Sequence, residues 1–148
     1  MRAYYQYGTQ ERLFQMMKRV NRLNESILPK EKRVEVIRDF IKYAGDYLKL
    51  GDNIPKIILS NDESEAKKMH SFGNFTPENK NIRVVIANRN LADVLRTLAH
   101  ELVHHRQFLD GKLTKSSNDT GSSDENEANM IAGILLRNYG KENPIIFE

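Results

Sequence analysis

Leu91-Ala92-Asp93-Val94-Leu95-Arg96-Thr97-Leu98-Ala99-His100-Glu101-Leu102-Val103-His104-His105-Arg106-Gln107-Phe108-Leu109 contains one instance of the pattern H-E-x-x-H, the HELVH of positions 100–104. Val94, Leu95, Leu98, Leu102, Val103 and Phe108 recur near helical spacing, and neither Pro nor Gly intervenes before Gly111. The stretch therefore predicts one long α-helix. Asp93, or Asn88 to Asn90 just before it, offers a start signal, and Gly111 a stop. Residues four apart on a helix share a face, so His100 and His104 point the same way. Two neutral imidazoles placed like this can give ring nitrogens to one Zn²⁺, which takes four ligands in a roughly tetrahedral shell. Glu101 lies beside that axis, where it can reach a water on the metal and act as general base. The competing reading of the pattern is a pair of solvated or core histidines next to a charged residue.

A zinc site needs a third protein ligand, and a second candidate helix downstream supplies acids. It spans Ser123 to Tyr139 and is closed by Gly140; Ser122, Ser123 and Asp124 are N-cap candidates, and acids in the first turn suit the helix dipole. Taking Ile131, Ile134 and Leu135 as the inward stripe puts Glu127 on that stripe, with Asp124 a turn before it and Glu125 pointing away. An inward carboxylate is costly unless it is paired or binds a metal, so Glu127 is the expected third ligand. Its alternative role is to cap the helix.

HELVH followed by a glutamate early in a later helix, in an N-E-A-N setting, resembles the gluzincin branch of the zincin metallopeptidases. The resemblance covers about residues 73–139. The E-x-x-A-x-x-x-A flavour around Glu127, Ala128, Ile131 and Ala132 is also similar to small ImmA/IrrE-like and SprT-like peptidases and to compact minigluzincins. The resemblance implies His100, His104 and Glu127 as zinc ligands and Glu101 as catalytic base. It implies a zincin-like α+β fold, with a small sheet of about three strands packed on the HELVH helix. Two N-terminal helices and a C-terminal helix bearing the glutamate complete it. Two departures stand out. Where many gluzincins place an acid that orients a histidine, this chain has Ile131, which leaves the partner of the ligand histidines unassigned. Asp110 occupies the position of the third histidine of metzincins.

The remaining chain is compatible with this reading. Its 148 residues, 39% of them hydrophobic, suit a single domain over residues 1–148 with one core. Within it, 1–50 form a basic helical part, 53–139 the metal-site core and 140–148 a tail. No run of eighteen apolar residues occurs, and Met1 to Gly8 lacks the apolar centre of a signal peptide. With no cysteine there is no disulfide scaffold, thiolate site or cysteine nucleophile, and a cytoplasmic location is the expectation. The net charge of +3 is uneven, with eleven Lys and Arg against six Asp and Glu in residues 1–50, and twelve against fourteen in the rest. Helices are expected over Glu11–Leu23 and Pro29–Leu50, the latter closed by Gly51. Their Lys18, Arg19, Arg22, Lys30, Lys32 and Arg33 could face nucleic acid, but a solvated helix surface is favoured. Tyr4, Tyr5 and Tyr7 form an aromatic tip that could stack on a partner or fray.

Strands are expected at Asn53–Ser60, at His70–Pro77 and, most clearly, at Asn81–Ala87, with Asp62–His70 a short helix or a loop. The turn-rich connection from Gly111 to Ser122 either shapes a pocket or merely connects. The apolar end, Ile145, Ile146 and Phe147, is expected to dock on the body.

Resemblance and residues together predict a zinc-dependent metallopeptidase acting on a peptide or protein substrate, with no membrane partner. Oxyanion donors remain open among Tyr139, Arg137, His105, Arg106 and His70, with Tyr139 placed first and His105 expected to face away from the metal or to support one of its ligands. The alternatives are a zinc-stabilised structural or binding protein without turnover, and a SprT-like protease acting on DNA-bound proteins. Features of the chain are also similar to small metallopeptidase-like proteins of tailed bacteriophages, which would allow a virion role.

Overall fold

The structure, a computed structural model, describes residues 28–113 and 121–147. The expected helix Glu11–Leu23 and the tyrosine tip lie outside the described residues. So does most of the turn-rich connection after Gly111. Among the described residues the fold is α+β, with four helices and one three-stranded mixed sheet. In chain order these are α1 (Lys30–Tyr47), β1 (Lys56–Ser60), α2 (Glu63–Met69), β2 (Gly73–Thr76), β3 (Asn81–Val85), α3 (Leu91–Leu109) and α4 (Ser123–Glu142). A 3-10 turn (Pro144–Phe147) follows.

α1 begins directly after Pro29, whose fixed φ suits the entry to a helix. Its inward stripe is Val36, Ile37, Phe40 and Ala44. The helix stops at Tyr47, short of the expected Leu50, because Lys49 turns left-handed (φ 55°). Leu48 and Leu50 are nevertheless buried, so the turn keeps the apolar pattern without the helix. β1 runs parallel to β3 and β2 antiparallel to it, in the order β1-β3-β2. The parallel pair is linked through α2 and β2, since parallel neighbours cannot be joined by a tight hairpin. β3 is the central strand and alternates as a strand packed on one face should. Ile82 and Val84 are fully buried, while Asn81 and Arg83 stand half-exposed.

α3 is the axis of the core. Asn90 caps it, its Oδ1 accepting from the Asp93 backbone N–H at 2.9 Å. Leu95, Leu98, Ala99 and Leu102 are all completely buried beneath it. The sheet and α1 pack on its flanks and α4 lies alongside. α4 opens on Ser122, whose Oγ accepts from the Glu125 N–H at 3.1 Å. It does not close at Gly140 but runs on to Glu142. Gly140 is buried, and a Cβ there would overlap the Phe147 ring; this glycine makes room for the tail where a stop was expected. The tail docks through Ile146, which is 1% exposed, while Phe147 stays half-exposed.

α2 is anchored electrostatically. Arg83 of β3 donates from Nε and Nη2 to both Glu65 oxygens at 2.9 and 2.8 Å. That fork holds the Glu65 carboxyl down at about 2. A depressed folded-state pKa contributes stability above the ordinary carboxyl range, and the contribution fades as pH falls towards about 2. Denaturant melts of Glu65→Gln should therefore show a deficit against wild type at neutral pH that closes on acidification through this window. Leu98→Ala should cost about 2–5 kcal/mol in the same melts, the cavity being opened at the centre of the core.

Candidate metal centre

His100 and His104 lie a turn apart on α3 with their rings nearly perpendicular, and their Nε2 atoms are 3.1 Å from each other. A carboxylate from α4 completes the group, and it belongs to Glu125. Its Oε1 is 3.0 Å from His100 Nε2 and its Oε2 is 3.0 Å from His104 Nε2. His100, His104 and Glu125 thus form a three-residue donor group that could hold a metal ion. The separations are close to the edge of a zinc tetrahedron, roughly 3.3 Å for ligand bonds near 2.0 Å. They are slightly shorter, within the ordinary hydrogen-bond range, and an ion there would spread the donors by a few tenths of an ångström.

The hydrogen-bond network fixes which face of His104 is turned to that group. The Gln107 side-chain amide donates from Nε2 to the Asp124 carbonyl and to Glu127 Oε1, both at 2.9 Å. With its NH₂ committed to two acceptors, its Oε1 must face His104 Nδ1, which it does at 2.8 Å. Nδ1 therefore carries the hydrogen, and the lone pair of Nε2 is left pointing at Glu125 and at His100. The Nε2 atoms of both rings and the Glu125 oxygens lie about 3 Å apart, so a hydrogen carried by His100 Nε2 or by Glu125, or a metal ion, fits among them. On His100, burial holds the pKa below its ordinary value against the pull of Glu125, with His104 adding to the depression, so the neutral imidazole is favoured. The Asn129 side chain lines the same groove and favours the protonated form of this ring.

Glu127 is placed differently from the sequence-based expectation. Its carboxylate accepts from Gln107 and stands behind the histidines as a support for the amide that orients His104. The stripe used to choose it was the wrong one. Ile134 is 37% exposed and Met130 60%, whereas the buried face of α4 is Ala128, Ala132, Leu135, Leu136 and Tyr139. Counted along that face, Glu125 lies a turn before Ala128 and two before Ala132. The E-x-x-A-x-x-x-A spacing, started at Glu125, carries the signal.

Glu101 does not join the donor group. It is 7% exposed and lies against the backbone of β2, where a Cβ on Gly73 would fall 3.2 Å from Glu101 Cγ and 2.5 Å from Thr97 Cγ2. Burial raises its carboxyl to about 7; the His104 interaction opposes the shift and Glu125 adds to it. A carboxyl there exchanges protons at neutral pH.

The expected oxyanion donors lie elsewhere. Tyr139 is roughly 21 Å along α4 from Glu125 at the ordinary helical rise. Its hydroxyl donates to Asp39 at 2.7 Å, and its ring packs edge-on against Phe40. His105 faces away from the group, as expected. Its Nε2 donates to the Asn53 carbonyl at 2.6 Å and burial lowers its pKa, with the ring edge-on to Phe75. Arg106 turns to the Leu48 and Lys49 carbonyls and to Asp110. His70 caps α2 in a left-handed conformation and is exposed. Arg137 is exposed, about two helical turns beyond Asn129 along α4. What does line the groove of about 380 Å³ beside His100 is Ser71, Phe72, Gly73, Arg96, Thr97 and Asn129.

The chain matches no protein-family model, no curated protein and no solved structure. Its chemistry has to be read from these residues.

The two acids give a direct test. Glu125→Ala should abolish metal retention, measured as metal per chain after purification without added metal. Glu127→Ala and Gln107→Ala should retain the ion with about 10–100-fold weaker affinity in chelator competition, the usual cost of losing an orienting partner. Equal losses for Glu125→Ala and Glu127→Ala would show that Glu125 is not the ligand.

Proposed function

We propose that this chain is a zinc-dependent metallopeptidase of zincin type, with His100, His104 and Glu125 as the protein ligands and Glu101 as general base. The observation that carries the reading is the convergence of two imidazole Nε2 atoms and one carboxylate at about 3 Å, with a separate buried carboxyl on the same helix. Nitrogen and oxygen donors without thiolate, three in number, suit a zinc site that keeps a coordination position for substrate. Zinc bound there would supply Lewis acidity, polarising a carbonyl and making water acidic near neutral pH.

The chain's own residues do the rest. Gln107 and Glu127 hold His104 in the tautomer that presents Nε2 to the ion. Glu101 would take a proton from the attacking water on its carboxylate and pass it to the leaving amine. β2 lies at one edge of the sheet, pairing only with β3 among the described residues, and it borders the groove through Gly73. An extended peptide could pair with its open edge through main-chain hydrogen bonds. The missing side chain of Gly73 lets that strand approach the helix beside Glu101.

A second reading, a metal-stabilised protein without turnover, is favoured by one observation: the hydroxyl of Tyr139 is engaged with Asp39, far from the histidines. Glu101→Gln separates the two. With metal content and melting unchanged, hydrolysis of a mixed peptide library by wild type should fall about 10²–10⁴-fold in the variant. A zinc-loaded wild type that cuts nothing in the library would leave the non-catalytic reading standing.

A further inference from the structure

The groove beside His100 does not end at the donor group. α3 and α4 run antiparallel, so stepping back along α3 from His100 by one turn reaches Arg96. Stepping forward along α4 from Asn129 by one turn reaches Gly133. These two residues meet: a Cβ on Gly133 would lie 3.9 Å from Arg96 Nη1, so the guanidinium rests over bare α4 backbone. Arg96 lines the groove at His100 and also a second groove of about 370 Å³ that continues along α4. Further turns of α4 bring Arg137 and Lys141 to this second groove, whose apolar side is Leu136 and Phe147. Arg96, Arg137 and Lys141 are all exposed, and among the described residues none of them has a carboxylate within ion-pairing distance.

Three cations with no acidic partner among the described residues, set along two neighbouring grooves that share Arg96 and of which one reaches His100, are complementary to a chain carrying several negative charges. The apolar side and the open edge of β2 at the far end favour a polypeptide over a nucleic acid. We propose that the Arg96–Arg137–Lys141 groove binds an acidic segment of a peptide substrate and so selects peptides with Asp or Glu residues to one side of the bond brought to His100 and His104. The inference deepens the peptidase reading and rests on it for what happens at the donor group, but the groove can be tested by binding alone.

The probe is a short fluorescein-labelled glutamate-rich peptide, followed by fluorescence anisotropy, with its glutamine counterpart and a single-stranded oligonucleotide of equal length as comparators. The acidic peptide should bind wild type and Glu101→Gln alike. Affinity should fall at least about tenfold in the triple variant Arg96→Gln/Arg137→Gln/Lys141→Gln, and likewise on raising salt from about 50 to about 500 mM. A control with the same net charge, Lys32→Gln/Lys42→Gln/Lys68→Gln, should bind as wild type does. Binding no tighter than that of the glutamine peptide, unchanged binding by the triple variant, or tighter binding of the oligonucleotide would each overturn the proposal. Acidic-peptide binding with no cleavage of any peptide would uphold the groove and remove the peptidase. Cleavage of neutral peptides without acidic preference would do the reverse.

Discussion

The close antiparallel packing of α3 on α4 is the constraint on which the rest depends. Ala128 and Ala132 face α3 and are fully or almost fully buried, as is Ala99 opposite. Small side chains at a helix contact let the axes come near the lower end of the usual 8–10 Å spacing. At such a seam the Glu125 carboxylate reaches the imidazoles of the facing helix with both of its oxygens. Larger residues at those alanines would widen the seam and draw Glu125 away from His100 and His104 before disturbing anything else in the fold.

The same seam accounts for the electrostatics. Along it the sequence sets, in order, Gln107 with Glu127, His104 and His100 with Glu125, His100 with Asn129, and Arg96 over Gly133. The buried end pairs amide and carboxylate groups, whereas the open end is cationic and, among the described residues, without a carboxylate partner. Burying charged and polar groups in a line is costly unless each has its partner. The seam meets that cost through one residue, Gln107. Its amide has a single orientation consistent with its acceptors, and that orientation is transmitted to the His104 ring.

Much of this was legible in the residues. The α3 helix followed from an uninterrupted apolar period, β3 from its β-branched run, and the α1 stripe from Ile37, Phe40 and Ala44. The placement of Glu125 was harder to read, and the reason is physical. Hydrophobic periodicity weights large side chains, but a helix that packs tightly on another buries its alanines and leaves isoleucines such as Ile134 towards solvent. The stripe chosen by size was therefore rotated from the true one, and Glu127 was taken for Glu125. Gly140 was misread for a related reason, since a glycine that admits a neighbouring ring looks in sequence like a helix stop. Tyr139 was placed at the site because no local pattern reveals that Asp39, remote in sequence, takes up the tyrosine hydroxyl.

The donor group also has a consequence for the chain's topology. Its imidazoles and its carboxylate come from two helices joined by a long connection, and apart from that connection the helices are held by side-chain packing. An ion held jointly by His100, His104 and Glu125 would close the intervening chain into a ring, as a covalent staple does. It would lower the conformational entropy of the unfolded state by an amount that rises slowly with ring size. The connection would then be dispensable for holding the helix pair together. It could be lengthened, replaced or cut while the ion remained, the ion adding to the packing that already holds the helix pair.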